Sequence, residues 1–121
     1  MSAWTADELA ELDAASEIRV AGSRKDGSLR GFRIIWHVVV EGALYARSVN
    51  GPDAAWYVGV QRQSAGAIRW DGHEREVWYA DDSSHDDDVD EAYRTKYGNG
   101  SPTQALNRAP ARGTTLRIDP R

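Results

Sequence analysis

Residues 31–40 read Gly-Phe-Arg-Ile-Ile-Trp-His-Val-Val-Val, the longest run of β-branched and aromatic residues in the chain. Such residues favour extended structure, and successive side chains of a strand point to opposite faces. One face is predicted to carry Phe32, Ile34, Trp36, Val38 and Val40, and the other Arg33, Ile35, His37 and Val39. Because both faces are largely apolar, we expect the strand to be covered on both sides. This pattern predicts the wall of a small closed barrel with helices packed outside it.

Turn and cap signals divide the rest of the chain into short strands and helices. A capping box at Thr5 and Glu8 begins a helix that runs to Ala15, and two more helices are predicted at residues 53–64 and 86–97. Strands are predicted at residues 17–21, 30–40, 43–48, 67–70, 74–79 and 114–118. Residues 98–113 contain Pro and Gly without apolar periodicity and are predicted to form a long loop. The expected fold is α+β, a single domain over residues 1–121 with about six mainly antiparallel strands and three flanking helices.

The composition excludes several classes of function. The chain of 121 residues has no cysteine, so redox chemistry would need a borrowed cofactor. No stretch resembles a secretion signal or reaches the length of a membrane span, so a cytoplasmic protein is expected. The net charge of -4 argues against non-specific nucleic-acid binding. A local basic cluster is formed by Arg19, Arg24, Lys25, Arg30 and Arg33, and it is either a contact for an acidic ligand or a solvated hairpin.

The junction between the strand at residues 43–48 and the next helix carries a possible anion site. Arg47 and Ser48 end the strand, Gly51 and Pro52 turn the chain, and Asp53 begins the helix. A guanidinium, a hydroxyl and the free amides of a helix start would then lie within reach of one point, as phosphate binding requires. The alternative is that Arg47 and Ser48 are solvated residues at the edge of the sheet.

Few side chains qualify as catalytic groups. His37 is the best acid or base, because its reference pKa of about 6.5 allows proton exchange near neutrality, although a packing role in a barrel strand is the alternative. Tyr45 and Tyr57 could donate a proton to a substrate carbonyl or nitro group, or could belong to the core. The three aspartates at residues 86–88 favour a helix start through the helix dipole, and no metal site is expected there.

Three stretches resemble a small bacterial family of unknown function, domain of unknown function 2255. Residues 34–57 read Ile-Ile-Trp-His-Val-Val-Val-Glu-Gly-Ala-Leu-Tyr-Ala-Arg-Ser-Val-Asn-Gly-Pro-Asp-Ala-Ala-Trp-Tyr, and residues 4–9 and 92–98 complete the resemblance. That family is in turn similar to the split-barrel flavin and deazaflavin oxidoreductases of the nitroreductase type. The second likeness depends on the order of the basic turn at residues 24–30, a long strand, and a Gly-containing turn before Trp56 and Tyr57.

The resemblance implies a small split β-barrel with a small-molecule pocket, commonly formed in a homodimer. In the split-barrel relatives a planar isoalloxazine or deazaflavin lies against the barrel wall, and basic and hydroxyl side chains hold its phosphate. FMN or a deazaflavin coenzyme is the cofactor so implied. By position, the resemblance implies phosphate contacts from Arg47, Ser48, Asn50 and Gly51, a ring contact from Trp56, and contacts to the cofactor tail from Arg24 and Lys25.

Three functions remain open at this point. The first is an oxidoreductase that uses a flavin or deazaflavin on a small nitro, quinone or enone substrate. The second is a cofactor-free split barrel that binds or transforms a small anionic or hydrophobic metabolite without redox chemistry, and the short turn at residues 50–52 favours it. The third is a structural or regulatory homodimer without a ligand, in which the five tryptophans form core and interface.

Overall fold

A computed structural model describes residues 3–121. The described chain forms seven strands, four α-helices and one short 3-10 helix at Ala111–Thr114. The helices are α1 (Ala6–Ala14), α2 (Ala55–Gln63), α3 (Asp86–Tyr97) and α4 (Ser101–Leu106). The strands are β1 (Ile18–Gly22), β2 (Arg33–Ile35), β3 (His37–Val40), β4 (Ala43–Ala46), β5 (Ala65–Trp70), β6 (His73–Asp81) and β7 (Leu116–Pro120).

All seven strands belong to one antiparallel sheet in the order β2-β1-β5-β6-β7-β4-β3. β2 and β3 follow each other in the chain but lie at opposite ends of this order. The sheet therefore curls into a nearly closed barrel, and the chain passes across its opening between Ile35 and His37. The predicted α+β split barrel is confirmed.

The long strand predicted at residues 30–40 is divided in two, which accounts for seven strands instead of about six. Ile35 pairs with Ile18 of β1, whereas His37 pairs with Ala46 of β4. Trp36 lies between the two ladders, and its ring stacks on Tyr97 with centroids 4.1 Å apart. One continuous run of β-formers therefore serves both edges of the barrel.

The predicted capping box of α1 is confirmed. The Glu8 amide donates to Thr5 Oγ1 at 3.1 Å, and the Thr5 amide donates to Glu8 Oε1 at 3.0 Å. Trp4, just before the cap, packs in the core and donates from its indole to the Ile118 carbonyl at 2.8 Å. The capped helix is thereby fixed against β7.

Two apolar clusters form the core. The larger one fills the barrel and includes Val20, Leu44, Ile68, Val77 and Ile118. The smaller one lies between the outer face of β3 and β4 and the helices α3 and α4, and consists of Val38, Val40, Tyr45, Val89, Tyr93 and Leu106. The two faces of β3 and β4 thus pack into different clusters, as expected for strands that are covered on both sides.

The prediction of a long loop at residues 98–113 is wrong, because this segment contains α4 and most of the 3-10 helix. Proline is tolerated in the first turn of a helix, and Pro102 occupies that place in α4. The helix has only six residues, which is too short to show apolar periodicity. Its buried residues are Thr103 and Leu106, which pack it onto the barrel.

Two glycines bring α2 unusually close to β1. A Cβ atom at Gly22 would lie 2.6 Å from the Gly59 carbonyl oxygen, so a larger residue would push the helix away. Gly59 in turn leaves room for the Arg30 side chain, whose Cδ lies 3.0 Å from the position of a Cβ there. This close contact brings the start of α2, with Trp56, beside Arg30.

Candidate functional site

A cleft lies at the opening of the barrel, where β2 ends and β3 begins. It consists of two adjoining cavities of about 400 and 190 Å³ that share Arg33 and Trp56, and we call it the opening cleft. The larger cavity is also lined by Ile34, Ile35, Trp36, Arg47, Val49, Asn50, Pro102 and Leu106. The smaller cavity is also lined by Val20, Ala21, Gly22, Arg30, Gly31 and Ala55.

The larger cavity is mostly apolar and reaches the surface. Ile34 is 57% exposed and Val49 is 48% exposed, although both are large aliphatic residues. Trp56 is half-buried and packs edge-on against Tyr57. Exposed aliphatic side chains beside two indole rings form the kind of surface that accepts a planar ligand.

The smaller cavity is basic. Arg30 is half-buried, and its buried Nε atom has no hydrogen-bond partner in the described part of the chain. Arg33 is exposed on β2, and neither arginine takes part in a salt bridge of residues 3–121. No described carboxylate lines either cavity. An anion at this end would meet two positive charges that the chain itself does not neutralise.

Arg47 borders the opening cleft, but its guanidinium is occupied. The residue is 1% exposed, and its Nη1 and Nη2 atoms pair with Asp90 at 2.5 Å and Asp86 at 3.2 Å. Its Nε donates to Thr115 Oγ1 at 2.8 Å, and Nη1 also meets the Leu106 carbonyl and Asn107 Oδ1. Two carboxylates of α3 therefore already pair with the guanidinium that was expected to meet an anion.

The other residues expected to contact a phosphate lie in different surroundings. Ser48 is fully buried, and its amide donates to Thr114 Oγ1 at 2.8 Å. Asn50 is exposed and lines the opening cleft, whereas Gly51 is buried against Pro110. The structure therefore brings only Asn50 of these three to the cavity surface.

The basic turn expected to hold a cofactor tail lies outside the cleft lining. Arg24 and Lys25 are exposed, and the Arg24 side chain folds back to donate to the Leu29 carbonyl at 2.8 Å. Trp56, the residue expected to flank the ring, does line both cavities.

The three candidate catalytic residues do not line the opening cleft. His37 is fully buried, and burial together with the nearby Lys96 charge lowers its pKa to about 4. Tyr57 donates to Asp81 at 3.1 Å, and burial and that carboxylate raise its pKa to about 12. Tyr45 is also buried, and burial raises its pKa. All three side chains are therefore buried outside the lining of the opening cleft.

Sequence reasoning missed the residues that dominate the opening cleft. Arg30 and Arg33 belong to the basic cluster of the sequence, but nothing in their spacing separates them from its other members. Ile34 and Trp36 were expected in the barrel wall, and only the division of the strand at Trp36 turns them toward a cavity. One signal that could have pointed to them is their position in the chain, because Arg30 directly precedes the longest β-type run and Arg33 lies within it.

One group of possible metal ligands lies elsewhere. Glu41, His85 and Asp88 bring one ligand atom each to within 4.8 Å of one another. Glu41 and Asp88 are exposed, and the aspartate stands in the first turn of α3, where a negative charge is favourable without an ion.

None of the helices described at residues 3–121 is long and apolar enough to cross a membrane.

Solved structures share this fold at low sequence identity. The conserved hypothetical protein Rv2991 from Mycobacterium tuberculosis is 11% identical with a TM-score of 0.62, covering 97% of this chain and 79% of that one. An F420 reductase is 11% identical with a TM-score of 0.58, covering 93% and 91%. An FAD-binding protein from Mesorhizobium loti is 17% identical with a TM-score of 0.50, covering 97% and 88%. At such identities the likeness shows the fold alone.

Sequence comparison gives a second result. No curated protein is significantly similar to the chain. Residues 8–118 match the family DUF2255, described as an uncharacterized protein conserved in bacteria. Because this match spans nearly the whole chain, from α1 to β7, the protein belongs to the DUF2255 family.

Proposed function

We propose that the protein binds a flavin or deazaflavin coenzyme in the opening cleft and acts as an oxidoreductase on a small substrate. The observation that carries the proposal is the buried, unpartnered Nε of Arg30 in a cleft that also contains the Trp56 indole. A buried donor without a partner costs free energy, which an anionic ligand would recover. The similar folds of an F420 reductase and an FAD-binding protein support a coenzyme of this class.

The residues of the opening cleft fit such a coenzyme in two parts. Arg30 and Arg33 would hold a phosphate, because both are basic, close to the cavity and free of internal ion pairs. Trp56, Trp36 and Ile34 would hold the planar ring on the apolar side. Arg47 would contribute no direct ion pair, since Asp86 and Asp90 already neutralise it.

A bound flavin or deazaflavin supplies the hydride or electron chemistry, so the chain itself needs no nucleophile. The apolar wall formed by Ile34, Val49 and Trp36 would orient the ring and exclude water from one of its faces. The exposed part of this wall leaves space for a small substrate such as a quinone, an enone or a nitro compound. The substrate in this proposal is held mainly by apolar contact.

Cofactor-free binding of a small anionic metabolite is the second candidate. It is favoured by the size of the basic cavity, about 190 Å³, which suits a compact anion. In this case Arg30 and Arg33 would bind a carboxylate, and the apolar wall would take the rest of the molecule. A structural or regulatory homodimer without a ligand is the third candidate. Both the assembly into a homodimer and the cytoplasmic location remain predictions.

Titration with FMN followed by tryptophan fluorescence tests the first candidate. Trp36 and Trp56 both line the cavity, so binding in the opening cleft should give saturable quenching. Arg30→Gln should weaken the affinity at least tenfold, as expected for loss of a charge-assisted contact. The matched control is Arg62→Gln, which changes an exposed arginine of α2 outside the cleft lining and should leave the affinity unchanged.

The result separates the three functions. Saturable quenching by FMN that Arg30→Gln weakens supports coenzyme binding. A melting temperature raised by small carboxylates but not by FMN favours the second candidate, because any ligand of the folded state stabilises it by mass action. Equal FMN affinity of wild type and Arg30→Gln would contradict the first candidate.

A further inference from the structure

A second groove lies at the end of β3, away from the opening cleft at its start. It has a volume of about 570 Å³ and runs between α3 and the turn that joins β3 to β4, and we call it the α3 groove. Val39, Val40 and Ala92 give it apolar walls, and Lys96 of α3 also lines it. The side chain of Lys96 lines this groove and is half-buried.

The amine of Lys96 forms no ion pair with any residue that the structure describes. Nζ lies 3.1 Å from Nε2 of His37 and 3.3 Å from the Leu12 carbonyl oxygen. None of the salt bridges formed by residues 3–121 includes Lys96. A half-buried ammonium without a carboxylate partner is unusual, because burial penalises the charged form.

The contacts of His37 fix its tautomer next to Lys96. Nε2 of His37 lies 2.6 Å from the Leu12 carbonyl oxygen, which can only accept a hydrogen bond. Nε2 must therefore carry the proton, and Nδ1, which has no partner among the described residues, is the unprotonated nitrogen. Lys96 thus faces the positive end of a neutral imidazole N–H group.

Burial lowers the pKa of Lys96 to about 8, and the charge of Asp13 acts in the opposite direction. The charged groups that face the groove are Asp13 of α1, Glu41 of the β3–β4 turn, and Asp88 and Glu91 of α3. All four carry a carboxylate, so the groove combines apolar walls with several negative charges. A neutral ligand can enter this groove, whereas an anionic one would be repelled.

We propose that Lys96 is a covalent binding site for small apolar aldehydes, which it holds in the α3 groove as a reversible imine. The geometry that carries the proposal is an unpaired, half-buried amine in a groove with apolar walls and a carboxylate rim. This site is separate from the opening cleft, so the proposal does not depend on coenzyme binding there.

The reaction needs no oxidant or reductant. The lone pair of the neutral amine attacks the aldehyde carbon, a C–N bond forms, and one Nζ proton passes through water to the carbonyl oxygen. The resulting carbinolamine then loses its hydroxyl group together with the second Nζ proton as water, which leaves the imine. Water reverses both steps, so the attachment is an equilibrium.

The chain offers its own internal control, because Lys25 and Lys96 are its two lysines and Lys25 is exposed in a turn. The wild-type protein is incubated at pH 7 with increasing hexanal and cyanoborohydride, which traps the imine, and adducts are located by peptide mass spectrometry. Lys96 should be modified at least about tenfold faster than Lys25, because a larger fraction of its amine is neutral at this pH. The rate at Lys96 should also saturate with hexanal, while the rate at Lys25 stays linear.

Two further arms make the outcome decisive. The anionic 6-oxohexanoate, an aldehyde of the same chain length, should modify Lys96 at least about tenfold more slowly than hexanal. Lys96→Arg should abolish the saturating adduct and leave labelling of Lys25 unchanged, whereas Lys25→Arg should keep it. Equal rates at the two lysines, a linear dependence at Lys96, or equal reaction with the anionic compound would each overturn the proposal.

Discussion

Arg47 and Arg30 both border the opening cleft, yet only the charge of Arg47 is neutralised by carboxylates of the described chain. Arg47 is 1% exposed and faces two carboxylates of α3, at Asp86 and Asp90. Arg30 is half-buried, and its buried Nε atom has no hydrogen-bond partner among residues 3–121. The first arginine stabilises the fold by tying α3 to the end of β4, and the second is available to a ligand.

The difference shows that an arginine beside a cavity is not by itself an anion site. The carboxylates that neutralise Arg47 lie about 40 positions further along the chain, so no local pattern predicts the pairing. What separates the two arginines is the packing of α3 against the barrel. Changes to each arginine should therefore have different consequences for stability and for binding.

The largest expected effect is on stability, from Arg47→Met. Removing the guanidinium leaves Asp86 and Asp90 partly buried without their main partner, which typically costs about 3–5 kcal/mol. Urea unfolding should show this loss, while Arg24→Met, at an exposed site, should change the free energy of unfolding by less than about 0.5 kcal/mol. A loss below about 1 kcal/mol for Arg47→Met would mean that the ion pairs contribute little to the fold.

The second prediction concerns acid, and it tests another basic residue that the chain buries. The pKa of His37 falls from 6.5 to about 4 on folding, so the unfolded chain binds the proton more tightly. Stability should therefore be full above pH 6.5 and fall by about 3 kcal/mol as the pH drops to 4. Gln at this position keeps an N–H donor without a titrating ring, so the wild-type free energy of unfolding should decline toward that of His37→Gln on acidification. A constant difference between the two would contradict the prediction.

Arg112 sharpens the comparison because it belongs to the Arg47 ion cluster but is more exposed. It pairs with Asp90 at 3.0 Å and with the fully exposed Asp87 at 2.8 Å. Solvent screens these pairs, so Arg112→Gln should cost about 1 kcal/mol in urea unfolding. A cost as large as that of Arg47→Met would show that burial is not what distinguishes the two residues.

The smallest effect is expected for Arg33→Gln in the opening cleft. Arg33 is exposed, so its contact with a phosphate would be screened by salt and should change FMN affinity only about threefold. The measurement is the FMN dissociation constant at low and at high salt, and the difference from wild type should shrink as salt is added. An effect larger than that of Arg30→Gln would reverse the assigned roles of the two arginines.

Much of the fold could be predicted from local patterns. The capping box at Thr5 and the Asp-Gly turns are short-range signals, and the structure contains the corresponding helix and hairpins. The division of the long strand at Trp36 could not be predicted, because the same β-type residues suit either edge of the barrel. The helix α4 has six residues and no side-chain cap, so no local signal separates it from a loop.

The candidate site was less predictable than the fold. Trp56 and Asn50, which were predicted near the ligand, do line the opening cleft. The ion pairs of Arg47 could not be predicted, because they depend on packing between distant parts of the chain. The role assigned to Arg30 depends on the close approach of α2 to β1 through Gly22 and Gly59. The sequence shows which positions carry a charge, whereas contacts in the folded chain determine which of these charges are free to bind a ligand.

The most direct test is to compare FMN with riboflavin, which lacks the phosphate, on wild type and on Arg30→Gln. If Arg30 holds the phosphate, wild type should bind FMN at least tenfold more tightly than riboflavin, and Arg30→Gln should lose that preference while keeping its affinity for riboflavin. An undiminished preference for FMN in Arg30→Gln would contradict the assignment of the opening cleft as the anion site.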